Sequence, residues 1–364
     1  MNYMKQQRLY WKAATWATRV LISLWVALTF FHSPGVNGYN RAEFQDMVDG
    51  KAYRPFVTRA LMPWSIRTIV AATPERVKYA IEHNALTESL KQTSYVSKEL
   101  RWTPDCYGHL VAFVLSGLCL VAFSVVCGAW WRSFFKPTDL YAEVFSIVAL
   151  LCLPPLFKYY SYIYDFPSLF LYTLCLYLMA GRKWLVYFPV FALTCVSKET
   201  AILLPVVFAC YYVAHHRADR YLYWLFLASQ VVLAVLVRGC IGFSYRGNPG
   251  TALEFHFIDH NLRLLTSPYS VETSVAWLLL ISVVLHQWRT KPWFLRVAVS
   301  MLMPLLGLCL LFGYLDELRD YYEIYVPALM LGAMSFLRLL GHPIETRAPT
   351  NASSVRRIRA AADA

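Results

Sequence analysis

The chain is short of charge. Asp, Glu, Lys and Arg make up 15% of its 364 residues, where a soluble domain carries roughly a quarter. The shortage is uneven, because the charges gather in short breaks between long apolar runs. That pattern excludes water as the main solvent. Lipid takes its place, and each run must satisfy its own backbone as a helix. There is no CxxC pair and no cysteine-based metal spacing, which argues against redox-pair and structural-zinc chemistry. There is no GxGxxG and no P-loop, so the usual phosphate-cradling loops are missing. No GxSxG elbow is present, which removes that route to a serine hydrolase. No internal repeat is visible, which weighs against a secondary transporter built from repeats. The basic N-terminus leads into an apolar run with no small-residue cleavage site after it, so the run reads as a retained span.

What the chain has in quantity is apolar residues. They amount to 58%, with 16% aromatic and a mean hydropathy of +0.43. The formal net charge is +12. On a soluble protein that would suggest nucleic acid. Here Lys and Arg sit beside the apolar runs, as positive-inside sorting and anionic headgroups require, so no nucleic-acid partner is expected. Of the nine cysteines, Cys119, Cys127, Cys152, Cys175, Cys195, Cys210 and Cys309 lie within apolar runs and act as small hydrophobes. Cys106 and Cys240 fall near one interface and could pair.

A span needs about 20 apolar residues, fewer when it is buried among neighbours. Runs of that kind cover 15–31, 109–131, 142–157, 168–180, 184–196, 201–214, 221–237, 271–288, 294–314 and 324–340. The expected fold is an all-α integral membrane protein of about ten transmembrane helices. It has a long extracytoplasmic first loop, 32–105, carrying amphipathic surface helices, and a second outer loop, 238–270. Residues 1–340 form a single polytopic domain, and 341–364 a basic cytoplasmic tail with Arg356, Arg357 and Arg359. With both termini inside, Arg132, Arg182, Arg217 and Arg289 mark the cytoplasmic breaks. The short outer breaks hold only Lys158, Lys198 and Arg319. That asymmetry fits the positive-inside rule, in a bacterial inner (plasma) membrane. Arg19, Arg238 and Arg296 are the deepest charges, each within snorkelling reach of an interface.

The polar features converge on the outer side. The first loop opens with Glu43, Asp46 and Asp49, followed by Arg54 and Arg59 and an apolar stretch, 60–72, that reads as an interfacial helix. Asp165 stands at the mouth of a span within the aromatic stretch SYIYDFP, as a helix cap or as a charge needing a partner. Lys198 and Glu199 sit between two short spans, as a local ion pair or a phosphate-holding cation. Asp316, Glu317, Arg319, Asp320 and Glu323 crowd one turn, and acids packed so closely need counter-charges or a metal to stay ionised. The second outer loop carries His256 and His260 at i, i+4, the sequence's weak candidates for a divalent metal, without an HExxH pattern.

One span followed by a long outer loop that opens with acids resembles the multi-spanning glycosyltransferases of the GT-C superfamily, which include the protein O-mannosyltransferases and bacterial aminoarabinose transferases. Tyr164-Asp165, Ser197-Lys198-Glu199-Thr200, Glu317-Leu318-Arg319 with Pro327, and the segment from Pro55 to Pro63 are similar to short motifs found there. Asn40 stands where those families carry an Asp, with Glu43 or Asp46 as substitutes. The resemblance implies transfer of a sugar from a polyprenyl-phosphate donor to a glycan, lipid or protein acceptor on the extracytoplasmic face. Asp46, or Glu43, would be the general base, and Asp165 would orient the acceptor, a base or a metal. Arg59, Lys198, Glu199, Glu317 and Arg319 would form the substrate-binding set, with the cations receiving the lipid phosphate. A non-catalytic subunit or scaffold of polysaccharide assembly, and a transporter or flippase, are the alternatives. Reporter fusions are expected to place Asp165 and Lys198 on the same, non-cytoplasmic side; opposite sides would end this topology.

Overall fold

The computed structural model describes residues 2–33, 35–92, 106–136, 139–157, 160–214, 220–266, 271–342 and 344–347. Helix α1 is Asn2–His32, and the first loop carries α2 (Phe44–Asp49), α3 (Leu61–Ala72), α4 (Glu75–Glu82) and α5 (Ala85–Gln92). Then follow α6 (Cys106–Phe134), α7 (Asp139–Leu151), α8 (Asp165–Ala180), α9 (Trp184–Ser197) and α10 (Leu203–Phe208), the last extended by a π turn, Ala209–Val213. Helix α11 is Arg220–Ser244, α12 Leu262–Thr266, α13 Val271–Leu285, α14 Trp293–Ser300, α15 Leu302–Phe312 and α16 Tyr322–Leu339. The described strands are two short ones, β1 (Phe135–Lys136) and β2 (Glu345–Thr346), paired antiparallel.

Among the described residues, 5 helices are long and apolar enough to cross a membrane: Tyr10–His32, Cys106–Phe134, Asp139–Leu156, Arg220–Ser244 and Trp293–Phe312. Shorter apolar helices occupy Asp165–Ala180, Trp184–Ser197 and Glu199–Val213. Helix α6 is the centre of the bundle, packing on α1, α3, α7 and α8; α9 bridges α8 to α11, and α16 packs on α13, α14 and α8. Small and polar residues let these helices approach closely. Gly128 faces the Ala142 carbonyl of α7, and Ser168 of α8 meets Ser197 of α9 at 2.8 Å.

Several expectations change in detail. Helix α11 runs to Ser244 and not to 237, because Gly239, Cys240, Ile241, Gly242 and Phe243 continue an apolar helix past Arg238. Arg19 does not snorkel. It is buried in α1 and pairs with Glu143 of α7, which also takes Arg132. A buried cation needs such a partner more than it needs an interface. The cysteines are thiols with no disulfide between them, Cys106 and Cys240 included. The stretch 60–72 is helical as expected, but Met62, Pro63 and Ile66 are buried and α3 packs on α6, so one face of it is core. Lys158, Arg217 and the tail arginines Arg356, Arg357 and Arg359 lie outside the described residues.

The segment after α1 and the segment after α11 dock on one another at one end of the bundle. The Asn248 amide donates to the Gly50 and Ala52 carbonyls at 2.9 and 3.0 Å. The Arg54 N–H donates to the Pro249 carbonyl at 2.9 Å, and its guanidinium to the Gly250 carbonyl at 2.7 Å. Trp64 of α3 donates to the Tyr245 hydroxyl at 2.7 Å. Asn261, fully buried, closes the far end of the second segment. Its side-chain amide donates to the carbonyls of Cys309, Leu310 and Gly313, and its oxygen accepts the Leu315 N–H. Those carbonyls lie at the end of α15 and just past it, where helical partners run out, although the Cys309 carbonyl also accepts the Gly313 N–H at 3.1 Å. At the opposite end of the chain, β2 holds residues 345–347 against the α6–α7 connection.

Gly250 sits at φ +84°, and a Cβ there would lie 2.7 Å from the Arg54 carbonyl oxygen. Gly250→Ala is therefore expected to destabilise the fold by about 1–3 kcal/mol, read as a lowered midpoint in thermal unfolding of the detergent-solubilised protein.

Candidate functional site

The site is built where three breaks between helices meet. Helix α9 ends at Ser197, and Lys198 adopts an extended backbone that turns the chain into the 3-10 turn Glu199–Ile202. Another 3-10 turn, Leu318–Tyr321, feeds α16, whose first turn holds Glu323. The third contributor is the turn at Phe56–Thr58, which delivers Arg59; its neighbour Ala60 is tied to the Val196 carbonyl at 3.1 Å. Asp165 opens α8 beside them.

These segments are joined by ion pairs. Arg319 contacts Glu317 at 2.6 Å and Asp165 at 3.2 Å. Arg59 grips Glu199 through two nitrogens and donates to the Tyr164 hydroxyl. Lys198 lies 3.2 Å from Glu323 and 3.9 Å from Asp320, and the Thr200 hydroxyl also donates to Glu323. Arg238, reaching out of α11, donates to the Thr58 carbonyl and hydroxyl at 2.9 and 3.0 Å and approaches Glu199 to 3.9 Å. Two tyrosines pass between the arginines. The Arg319 guanidinium lies 4.1 Å over Tyr162, Tyr162 stacks on Tyr164 at 5.2 Å, and Arg59 lies 4.6 Å from Tyr164. Cation and ring alternate, which suits the planar guanidinium.

In front of this network opens a cleft of ≈ 70 Å³. Tyr39, Phe56, Tyr160, Tyr162 and Tyr314 supply aromatic walls, and Arg59, Glu254, His256, Glu317, Arg319 and Asp320 the polar ones. Burial and pairing set the charge states around it. Burial raises the Glu199 carboxyl, but Arg59, Arg238 and Lys198 outweigh it and hold its pKa at about 2. Burial works against the Lys198 ammonium, yet Glu323 and Asp320 keep its pKa above the ordinary lysine value. Glu317 is the exception: burial, aided by Asp320 and Asp165, raises its pKa despite Arg319. A carboxylate made more basic inside a cleft is suited to accept a proton.

The structure brings together Arg59, Asp165, Lys198, Glu199, Glu317 and Arg319 of the sequence candidates. Arg59, Glu317 and Arg319 line the cleft, and Asp165, Lys198 and Glu199 stand in contact with residues that do. Asp165 does not cap its helix; one carboxylate oxygen accepts the Tyr162 N–H at 3.1 Å and takes Arg319. Glu43 and Asp46 are elsewhere. Glu43 is exposed, Asp46 half-buried on α2, neither lines the cleft, and neither has a side-chain ion pair among the described residues. The crowded acids of residues 316–323 find partners: the His260 ring for Asp316, and the cations Arg319 for Glu317 and Lys198 for Asp320 and Glu323. His256 and His260 face different acids, His256 meeting Asp259 at 3.1 Å and Glu254 at 3.5 Å, His260 meeting Asp316 at 3.0 Å. Among the described residues no group of three or more His, Cys, Asp or Glu is arranged to hold a metal ion.

Sequence reading missed Arg238, Asp320 and Glu323 as partners, and the ring wall of Tyr39, Tyr160, Tyr162 and Tyr314. The run KYYSYIYDFP was a usable signal for part of that wall, since tyrosines massed before a span seldom face only lipid. A scan against protein-family models and searches of curated proteins and of solved structures find no match to this chain.

Asp165 and Glu317 are both buried against Arg319. Arg319→Met is therefore expected to destabilise the protein by roughly 3–5 kcal/mol. Adding Asp165→Asn and Glu317→Gln should recover part of the loss in thermal unfolding; no recovery would show that the pairing is not what stabilises this corner.

Proposed function

We propose that the chain is a membrane glycosyltransferase of the GT-C type, moving a sugar from a polyprenyl-phosphate donor to an acceptor at the extracytoplasmic face. In this reading all of the apolar runs cross the bilayer, both termini are cytoplasmic and the membrane is the bacterial plasma membrane. The observation that carries it is the convergence of Arg59, Lys198 and Arg319, from three separate breaks, behind a cleft walled by aromatic rings. Flat rings suit a sugar, and paired arginines suit a phosphate that gains charge as it departs.

The geometry favours Glu317 over Asp46 or Glu43 as the base, since it lines the cleft and its basicity is raised. Glu317 takes the proton of the acceptor hydroxyl while that oxygen attacks the sugar's anomeric carbon. The bond from that carbon to the phosphate oxygen breaks, and the bonding pair leaves with the polyprenyl phosphate beside Arg59 and Arg319. Asp165 holds Arg319 in place. No nucleotide is required, in keeping with the absence of a glycine-rich phosphate loop. His256 and His260 are the sequence's weak metal candidates, and the step as written uses no metal.

A second reading is a non-catalytic subunit of polysaccharide assembly. It is favoured by Arg59, Lys198 and Arg319 each already meeting a carboxylate, so that a phosphate must compete for them. The two are separated by profiling lipid-linked sugars in a deletion strain complemented with variants. Loss of the chain should cause a polyprenyl-phosphate sugar to accumulate. Glu317→Gln, at normal membrane levels, should lower transfer by about 100-fold or more, whereas Asp46→Asn should retain it. The reverse ranking would move the base to Asp46; full complementation by Glu317→Gln and Arg59→Met together would leave the subunit reading.

A further inference from the structure

The segment joining α11 to α13 has two chemically different sides. Leu253 and Phe255 are exposed at 58% and 55%, while Glu254 and His256, alternating with them, form part of the cleft wall. Exposed and cleft-lining side chains thus alternate along 253–256. The segment then coils through a π turn, Phe257–Asn261, into α12. Ile258, Leu262 and Leu265 follow at i, i+4 and i+7, a helical stripe, and are exposed at 70%, 43% and 54% while Asn261 is buried. The two parts thus present an exposed apolar strip opposite the side chains that wall the cleft.

That strip prolongs surfaces that meet lipid. The His256 N–H donates to the Leu311 carbonyl at 2.9 Å, and the Phe255 ring lies 6.3 Å from that of Phe312, so the strip begins on α15. Leu308 and Leu311 of α15 are exposed, as are Val232, Val235, Leu236 and Phe243 of α11. Both helices belong to runs long and apolar enough to cross a bilayer. Asp259 and Arg263, also exposed, give the strip the polar border expected at headgroup level. In water, side chains of this size would forgo the burial that stabilises them elsewhere.

We propose that residues 251–266 are a membrane-immersed strap. Leu253, Phe255, Ile258, Leu262 and Leu265 lie among phospholipid acyl chains at the cleft end of the bundle, and Glu254 and His256 on the other side wall the cleft. The partner is the lipid leaflet itself, and the cleft on that side is bounded by lipid-covered protein.

The test uses the full chain in nanodiscs of radiolabelled phosphatidylethanolamine and phosphatidylglycerol, with p-benzoylphenylalanine introduced singly at Leu253, Ile258 or Leu265. Leu236 on α11 is the lipid-facing control and Asp49, exposed on α2, the aqueous one. Irradiation should give lipid adducts at the strap positions similar to Leu236 and several-fold above Asp49. Adducts no higher than at Asp49, or cross-links to a second copy of the chain, would overturn the proposal. The readout involves no sugar transfer, so its failure leaves the transferase reading standing.

Discussion

The Arg319 guanidinium, lodged between Asp165 and Glu317 and laid on the Tyr162 ring, joins two stretches of chain about half the sequence apart. Away from water such a cation is tolerable only with its anions in contact, and the anions only with the cation. The requirement propagates. Asp165 fixes the start of α8, Glu317 and Arg319 fix the approach to α16, and Tyr162 carries the constraint through Tyr164 to Arg59 and Glu199. Lys198 with Glu323 repeats the arrangement one turn away. Electrostatics here acts as alignment: helices able to slide past one another in lipid are held at a single level by charges that must meet.

Much of the architecture was legible because lipid is a severe selector of sequence. Most of the apolar runs noted at the outset correspond to a helix or a helix with a short continuation, and 294–314 divides into α14 and α15. Helix ends were less legible. Arg238 looked like a stop, yet α11 continues, because the charge is met by Thr58 and Glu199, both remote in sequence. Arg19 looked like a residue reaching for an interface for the same reason, its partner Glu143 being invisible to local reading.

The site divides along the same line. Arg59, Asp165, Lys198, Glu199, Glu317 and Arg319 could be found because charges beside long apolar runs are rare enough to be conspicuous. Which charge pairs with which could not be read from spacing. Lys198 and Glu199 are adjacent, yet each takes a different and distant partner, Glu323 for one and Arg59 for the other. The acids of the first loop were conspicuous too, but α2 carries Asp46 away from the cleft lining. Tyr39, a few residues before them, reaches the cleft instead, as do Phe56 and Arg59 further along the same loop.

Asn261 shows how narrowly one position can be specified without any catalytic duty. Its nitrogen is surrounded by three carbonyl oxygens and its own oxygen faces a single N–H. Only a group that gives and receives at once can occupy that spot. A carboxylate of the same shape would present lone pairs to lone pairs, and an aliphatic side chain would take this partner from the Leu310 and Gly313 carbonyls and the Leu315 N–H. The end of α15, and with it the wall formed by Phe312, Gly313 and Tyr314, is thereby committed to a primary amide.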